Sequence, residues 1–400
     1  MNEKLVIHHV GGRSGTINFP VTETFEEDLI NIIYDADENC IQQIKEVWKN
    51  RRCETKVMNY CLSNKNKKSS FFVNHDPNTS SFLKFNKLYE NYYYVSKFKN
   101  ENIDYIFKDT IKNIKQVNLQ TSSLQNLIKE KIVPVPDFIS LDTQGSEKMI
   151  LEGLGDYLSN DTLAVFLEVE FKQIYENQPL FEDIILFLKE FHFELSFLEV
   201  FNSYQNRGKS GIRTSGVPMF GEALFIKKPN KVKGNKKEKN LKLNKLCFIS
   251  AMYNNLENIE ICMFEKDFLP IENSGKKYLQ FIYDLSEAIK RSEHRKNRKF
   301  SDIWTFNKSQ SRFKIKKDTT TKKFFKNTFI LKHIFLFLRQ SKGFFINNFY
   351  SLRQILTNFK INFLIFIKYK LTPVEQVLLK YKLNNLFLEI MKNRVRDRSN

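Results

Sequence analysis

The stretch Asp137-Phe138-Ile139-Ser140-Leu141-Asp142-Thr143-Gln144-Gly145-Ser146-Glu147 decides how this chain folds. Apolar residues lead to an aspartate at the mouth of a glycine turn, and an apolar helical run (Met149, Ile150, Leu151, Leu154) follows. The pattern predicts a buried strand, a turn and a helix. In open α/β sheets, ligands bind where loops leave the carboxyl ends of strands. Asp142 therefore either faces a pocket or caps the helix behind it.

Upstream, Leu5-Val6-Ile7-His8-His9-Val10 predicts a short buried strand running into Gly11-Gly12-Arg13-Ser14-Gly15. Glycines there let the backbone turn sharply and approach a ligand. A second apolar run, residues 29–34, ends on Asp35, 24 residues after Gly11. That is close to the roughly 20-residue interval at which nucleotide-binding βαβ units place an acid against ribose hydroxyls. A carboxylate suits the role because it accepts two hydrogen bonds from a vicinal diol.

Further strands are expected at 137–142, 163–169, 193–199 and 223–227, and a helix over Phe181–Glu190, where Phe181, Ile184, Ile185 and Leu188 form one stripe. Strands alternating with helices imply a parallel sheet covered on both faces. The last two strands are joined by residues 203–221, a glycine- and arginine-bearing loop without a helix, so the final strand should be antiparallel. Residues 69–86 read as a short strand at Phe71–Val73 and a polar loop, with His75 and Asp76 too few to hold a metal.

Charge divides the chain. Residues 1–230 hold 27 basic and 31 acidic side chains, and residues 231–400 hold 37 basic and 14 acidic, net −4 against +23. Such asymmetry predicts two modules: a domain over 1–230, a solvated basic linker over 231–245 and a mainly helical basic module over 246–400. In that module, Thr372-Pro373-Val374-Glu375 predicts a capped helix start, with Val374, Val377, Leu378 and Tyr381 as its stripe. The segments at 328–339 and 361–370 are apolar, basic-edged and too short to cross a bilayer. They suit a helical domain or the surface of an anionic membrane; nucleic acid is the least favoured partner, because no RNA-binding module is present. Five cysteines without a CxxC pair, and no apolar leader, point to a reducing cytoplasm.

Through "DFISLDTQGSEKMILEGL" and "FLEVEFKQIYENQPLFEDIILFL" the chain resembles the FkbM-type S-adenosylmethionine (SAM)-dependent methyltransferases, most closely over Asp137 to Leu188 and more loosely over residues 4–90. The resemblance implies a Rossmann-like α/β methyltransferase sheet with an antiparallel last strand. It implies that Gly11, Gly12 and Gly15 form the turn beneath the methionine moiety, and that Asp35 holds the ribose. "CLSN" at 61–64, Ser63 included, would line the adenine side, and Asp142 would stand beside the methyl donor. His9 departs from the family, which commonly carries an acid just before the glycines.

Methyl transfer from a sulfonium is an in-line displacement that needs a positioned acceptor relieved of its proton. A hydroxyl acceptor calls for a base or a divalent cation, and Asp142 is the candidate for either role. Glu168 and Glu170 share one strand face near it; Glu168, with Gln144, is a candidate substrate-binding residue. Asp142-Thr143-Gln144-Gly145 stands where amine- and base-modifying enzymes carry an Asn/Asp-Pro-Pro-aromatic motif, which favours an oxygen acceptor. The resemblance implies a sugar hydroxyl of a cell-surface glycan or glycolipid precursor as acceptor; the cysteines and the basic module in turn suggest a cytoplasmic protein, peripheral on the inner face of the membrane. The alternatives are an RNA methyltransferase using the basic module, and a non-catalytic membrane-associated adaptor.

Overall fold

A computed structural model describes residues 3–13, 18–20, 23–98, 101–205, 215–293 and 372–383. Its strands are β1 (Leu5–Val10), β2 (Leu29–Asp35), β3 (Glu54–Asn59), β4 (Cys61–Leu62), β5 (Lys68–Asn74), β6 (Tyr92–Phe98), β7 (Glu101–Ile106), β8 (Asn113–Ser122), β9 (Phe138–Leu141), β10 (Ala164–Glu170), β11 (Phe193–Gln205) and β12 (Val217–Lys227). The helices are α1 (Glu38–Trp48), α2 (Phe107–Thr110), α3 (Leu124–Lys129), α4 (Glu147–Glu152), α5 (Asp156–Asn160), α6 (Phe181–Glu190), α7 (Lys236–Met252), α8 (Leu256–Met263) and α9 (Lys277–Glu293), followed by the helix Pro373–Lys380.

The main sheet has the order β3-β2-β1-β9-β10-β12-β11-β6-β7, and β4-β8-β5 form a smaller one. From β3 to β10 the strands run parallel. As expected, β12 is antiparallel, pairing with β10 on one side and β11 on the other. All side chains of β1 and β2 are buried, as befits parallel strands covered on both faces. Beneath them Ile139, Leu141, Val165 and Leu167 pack with Leu151 of α4 and Leu188 of α6. Helix α6 has the expected bounds, and its Asp183 carboxylate accepts the Leu180 N–H at 2.9 Å.

Five strands lie where the sequence gave little sign of them. β4 is only two residues long, and β3 and β8 consist mostly of exposed and half-buried residues, a weak signal. The β6–β7 hairpin reaches the main sheet through β11, pairing Tyr93 with Tyr204 and Tyr92 with Gln205. β11 and β12 run to 13 and 11 residues, well past the expected limits. Residues 206–214 of the loop between them lie outside the described residues.

The expected linker at 231–245 is corrected. Asn235 caps α7 by accepting the Glu238 N–H at 3.0 Å, and Glu238 returns the contact to the Asn235 N–H at 3.1 Å. The lysines of this run are not all solvated. Lys242 Nζ bonds Asn160 O and the Asp161 carboxylate. Lys245, 2% exposed at its side chain, meets Asp137 Oδ2 at 2.7 Å, and the same oxygen accepts the Val6 N–H at 2.8 Å. Leu243 and Leu246 beside them are fully buried. The first unit therefore does not stop at residue 230: the chain divides into Met1–Glu287 with Leu378–Asn400, and Ala288–Val377.

The capping box at Thr372 forms as expected, with Glu375 Oε2 accepting from Thr372 N at 2.7 Å and from Thr372 Oγ1 at 2.8 Å. The apolar segments at 328–339 and 361–370 lie outside the described residues. Among the described residues no helix is long and apolar enough to cross a membrane.

Candidate functional site

Strand order runs outward in opposite directions from β1 and β9, so the crevice beyond their carboxyl ends is the point where the sheet switches direction. There the Asp142 N–H donates to Val10 O at 3.0 Å, and the Gly11 and Gly12 N–H groups both donate to Tyr34 O, at 3.2 and 3.1 Å. Gly11 has φ +90°, and a Cβ on it would lie 1.9 Å from Asp142 O. Only glycine fits between those two strand ends. Gly15 lies outside the described residues.

A cavity of about 400 Å³ opens at this point. Gly11, Asp35 and Asp142, from the ends of β1, β2 and β9, line its floor, while Phe71 of β5 with Val117 and Leu119 of β8 line the opposite wall. Of this wall the strand at Phe71–Val73 was expected and lies within β5, whereas β8 was missed; its only sign was the two-residue spacing of Val117 and Leu119 among polar neighbours. Asp35 is set by two backbone contacts: its Oδ1 accepts the Asp37 N–H at 2.8 Å, and Asn59 Nδ2 holds its carbonyl at 3.1 Å. Asp37 caps α1 and pairs with Arg13.

Ser63 is not on the cavity. It is buried with its Oγ on Met149 Sδ at 3.0 Å, because its carbonyl packs against Gly153, where a Cβ would come within 2.3 Å. Tyr60, Cys61 and Leu62 line the cavity in its place. His9 also lines it, hydrogen-bonded through Nδ1 to Ser140 Oγ. Burial pushes the His9 imidazole down to about 4, so it is neutral at physiological pH. Residue 9 thus brings no charge to the cavity.

The loop after β9 is held from several directions. Glu147 Oε1 accepts the Thr143 N–H at 2.7 Å and the Thr143 hydroxyl at 2.9 Å, while Oε2 accepts the Gly145 N–H at 2.9 Å. Between these anchors Gln144 has φ +55°. Its Nε2 donates to Glu168 Oε2 at 2.7 Å and to Asp142 Oδ1 at 3.1 Å. Glu147, Ser81 and Tyr175, the residues that fix this loop, were not singled out in the sequence.

Glu168 and Glu170 share one face of β10, with Glu170 only 4% exposed at the strand end rather than in water. Burial raises Glu168 and Glu170 well above the usual carboxyl range, and the neighbouring carboxylates add to it. Asp142 is also raised: it opens onto the cavity yet lies deep among protein atoms, and the Gln144 amide opposes the shift. The result is a proton acceptor facing a cavity, backed by a second carboxyl able to hold a proton.

The alternative of a divalent cation at Asp142 fits these residues poorly. The Gln144 amide donor occupies the space between the two carboxylates. Among the described residues, no group of three or more His, Cys, Asp or Glu is placed to hold one metal ion.

Comparison with known proteins follows this geometry. No curated protein matches the chain. Solved structures to which the chain is similar include magnesium protoporphyrin IX methyltransferase from Synechocystis PCC 6803 with bound SAM, 10% identical, covering 56% of this chain and 70% of that one, TM-score 0.28. A SAM-dependent methyltransferase from Methanosarcina mazei is 10% identical over 57% of this chain and 94% of its own, TM-score 0.27. Precorrin-6y C5,15-methyltransferase from Geobacter metallireducens GS-15 is 10% identical over 57% and 83%, TM-score 0.27. The family model for the methyltransferase FkbM domain matches residues 10–195, a span that takes in Gly11, Asp35, Asp142 and Glu168. Over residues 10–195 this chain thus matches the methyltransferase FkbM domain.

Proposed function

We propose that the domain transfers a methyl group from SAM to a sugar hydroxyl of a cell-surface glycan or glycolipid precursor. The observation that carries this reading is the cavity at the switch point, where Gly11, Asp35 and Asp142 converge from three strand ends. The donor set fits the cofactor. Asp35 has a carboxylate oxygen left to accept from ribose hydroxyls, and Tyr60, Leu62 and the β5–β8 wall offer apolar surface to a purine. When bound, SAM supplies an electrophilic methyl carbon.

The chain's own residues supply the rest. Asp142 accepts the proton of the acceptor hydroxyl as oxygen attacks, and Gln144 orients that carboxylate. The cavity holds the reactants together. The basic balance of residues 231–400 supports attachment to an anionic membrane surface, where a lipid-linked acceptor would be presented.

Calorimetry on the full chain tests the cofactor. Saturable SAM binding is expected, and Asp35→Ala should weaken it roughly ten-fold or more, since hydrogen bonds to a charged acceptor are worth about 1.5–3 kcal/mol. Absence of heat with both SAM and its demethylated product would overturn the reading. Transfer of labelled methyl from SAM to an acceptor panel of polysaccharides, glycolipids and RNA then identifies the acceptor.

A further inference from the structure

Gln144 is held in a conformation that a side-chain-bearing residue adopts only under constraint, with φ +55°. Glu147 holds the Thr143 and Gly145 N–H groups on either side of it. The Gln144 carbonyl accepts the Ser81 hydroxyl at 2.6 Å. The side chain is equally constrained. The Tyr175 hydroxyl lies 3.3 Å from Gln144 Oε1 and 2.6 Å from Thr79 O, so one proton is shared between them.

The amide has one sensible orientation. With Nε2 turned away, its oxygen would face two carboxylate oxygens; with Nε2 inward, each N–H finds an acceptor, Asp142 Oδ1 at 3.1 Å and Glu168 Oε2 at 2.7 Å. Asp142 Oδ2 then has no donor among the described residues, and Asp142 lines the cavity. The groups acting on the pair are Glu147 from α4, Glu170 on β10, Glu222 on β12, and Tyr94 and Tyr175, all acidic or neutral.

We propose that Gln144 is a positioning residue for the proposed methyl transfer: its amide joins Asp142 and Glu168 into one proton-holding pair and leaves a single Asp142 oxygen to face the acceptor. The neighbouring Glu168 carboxyl favours proton uptake at Asp142, and the amide between them fixes the geometry of the pair, so the free Asp142 oxygen stays aimed at the acceptor and is not lost to a reoriented side chain. The catalytic reading of the pair rests on the proposed function, but the linkage itself can be measured without cofactor or acceptor.

The test is a carbon-13 NMR titration of the full chain labelled at Asp and Glu carboxyls, with Asp142→Asn and Glu168→Gln assigning the two signals. Gln144→Gly removes the amide while relieving the backbone, and Gln144→Met keeps the side-chain bulk, so folding does not decide the result. Both signals should titrate higher by about one pH unit or more in either Gln144 variant, a ten-fold change worth about 1.4 kcal/mol. Glu168→Gln should move the Asp142 signal to lower pH. Calorimetric SAM affinity should stay within about three-fold of the parent, as expected of a residue that acts through another. An Asp142 titration unmoved by both Gln144 variants, or indifferent to Glu168→Gln, would overturn the proposal. A parent chain that binds no SAM would sink the function while leaving this readout standing.

Discussion

Replacing Lys245 by Met should destabilise the protein far more than a lysine-rich run would lead one to expect. The Lys245 ammonium is buried 2.7 Å from Asp137 Oδ2, and among the described residues the only other donor to that oxygen is the Val6 N–H at 2.8 Å. Removing one member of a buried pair leaves an uncompensated charge and costs about 3–5 kcal/mol. For a unit of this size each kcal/mol lowers the melting temperature by about 2–4 °C, so a fall of roughly 6–20 °C is expected. Thermal unfolding followed by circular dichroism measures it. The double variant Lys245→Met with Asp137→Asn should recover most of the loss, because the amide oxygen still accepts from Val6 without carrying charge. The deficit should also depend on pH. Burial already raises the Asp137 carboxyl and Lys245 opposes that shift, so without the lysine its folded pKa rises further above the unfolded one. That penalty is full above the folded pKa and vanishes below the unfolded value, about 3.9, so the two melting curves should converge as pH falls toward 4. A single variant within about 3 °C of the parent, or a double variant no better than the single, would refute the reasoning.

Other outcomes follow from the site. Asp142→Asn should keep SAM affinity while lowering turnover by roughly 10²–10⁴-fold in a labelled-methyl assay; turnover within a few-fold of the parent would assign the proton to another group. Glu170→Gln should raise stability at neutral pH by about 0.5–2 kcal/mol in urea titrations. Its carboxyl is raised by burial and by Glu147 and Asp142, so stability is full below the unfolded pKa and lost as pH rises through the folded one; the variant's advantage should therefore disappear in acid. In vesicle sedimentation the full chain should pellet with anionic but not neutral lipid, less so as salt is raised, each basic side chain near the surface contributing about 1 kcal/mol.

What the sequence disclosed follows from burial. β1, β2, β9 and β10 are covered on both faces and appear as unbroken apolar runs, and α6 carries a full apolar stripe, so their positions were plain. The turn glycine and the two strand-end acids followed from the same strands. The cavity's far wall was only partly legible: Phe71–Val73 marks β5, but β8 is mostly exposed and mixes its apolar residues with Lys, Asn and Gln. Helix α7 was hidden for another reason. A lysine was taken as a solvated residue, whereas Lys242 and Lys245 find acceptors 81 and 108 positions away, beyond any local pattern. The partners of Gln144 were obscure likewise, since Glu168, Tyr175 and Ser81 meet it only through the fold.

The strand order also sets a sequence of events during synthesis. The wall strands β5 and β8 flank the β6–β7 hairpin in the chain, and that hairpin is anchored by β11, whose Tyr204 and Gln205 leave the ribosome more than 100 residues after their partners Tyr93 and Tyr92. β10, carrying Glu168, likewise gains its outer neighbour only when β12 emerges. Pairings of such long sequence separation form late. A nascent chain displaying β1, β2 and β9 already has the glycine turn and both acids, but its far wall still hangs from an unpaired hairpin. Cofactor binding should thus arise only near completion of the sheet, and half-made chains should not compete for it.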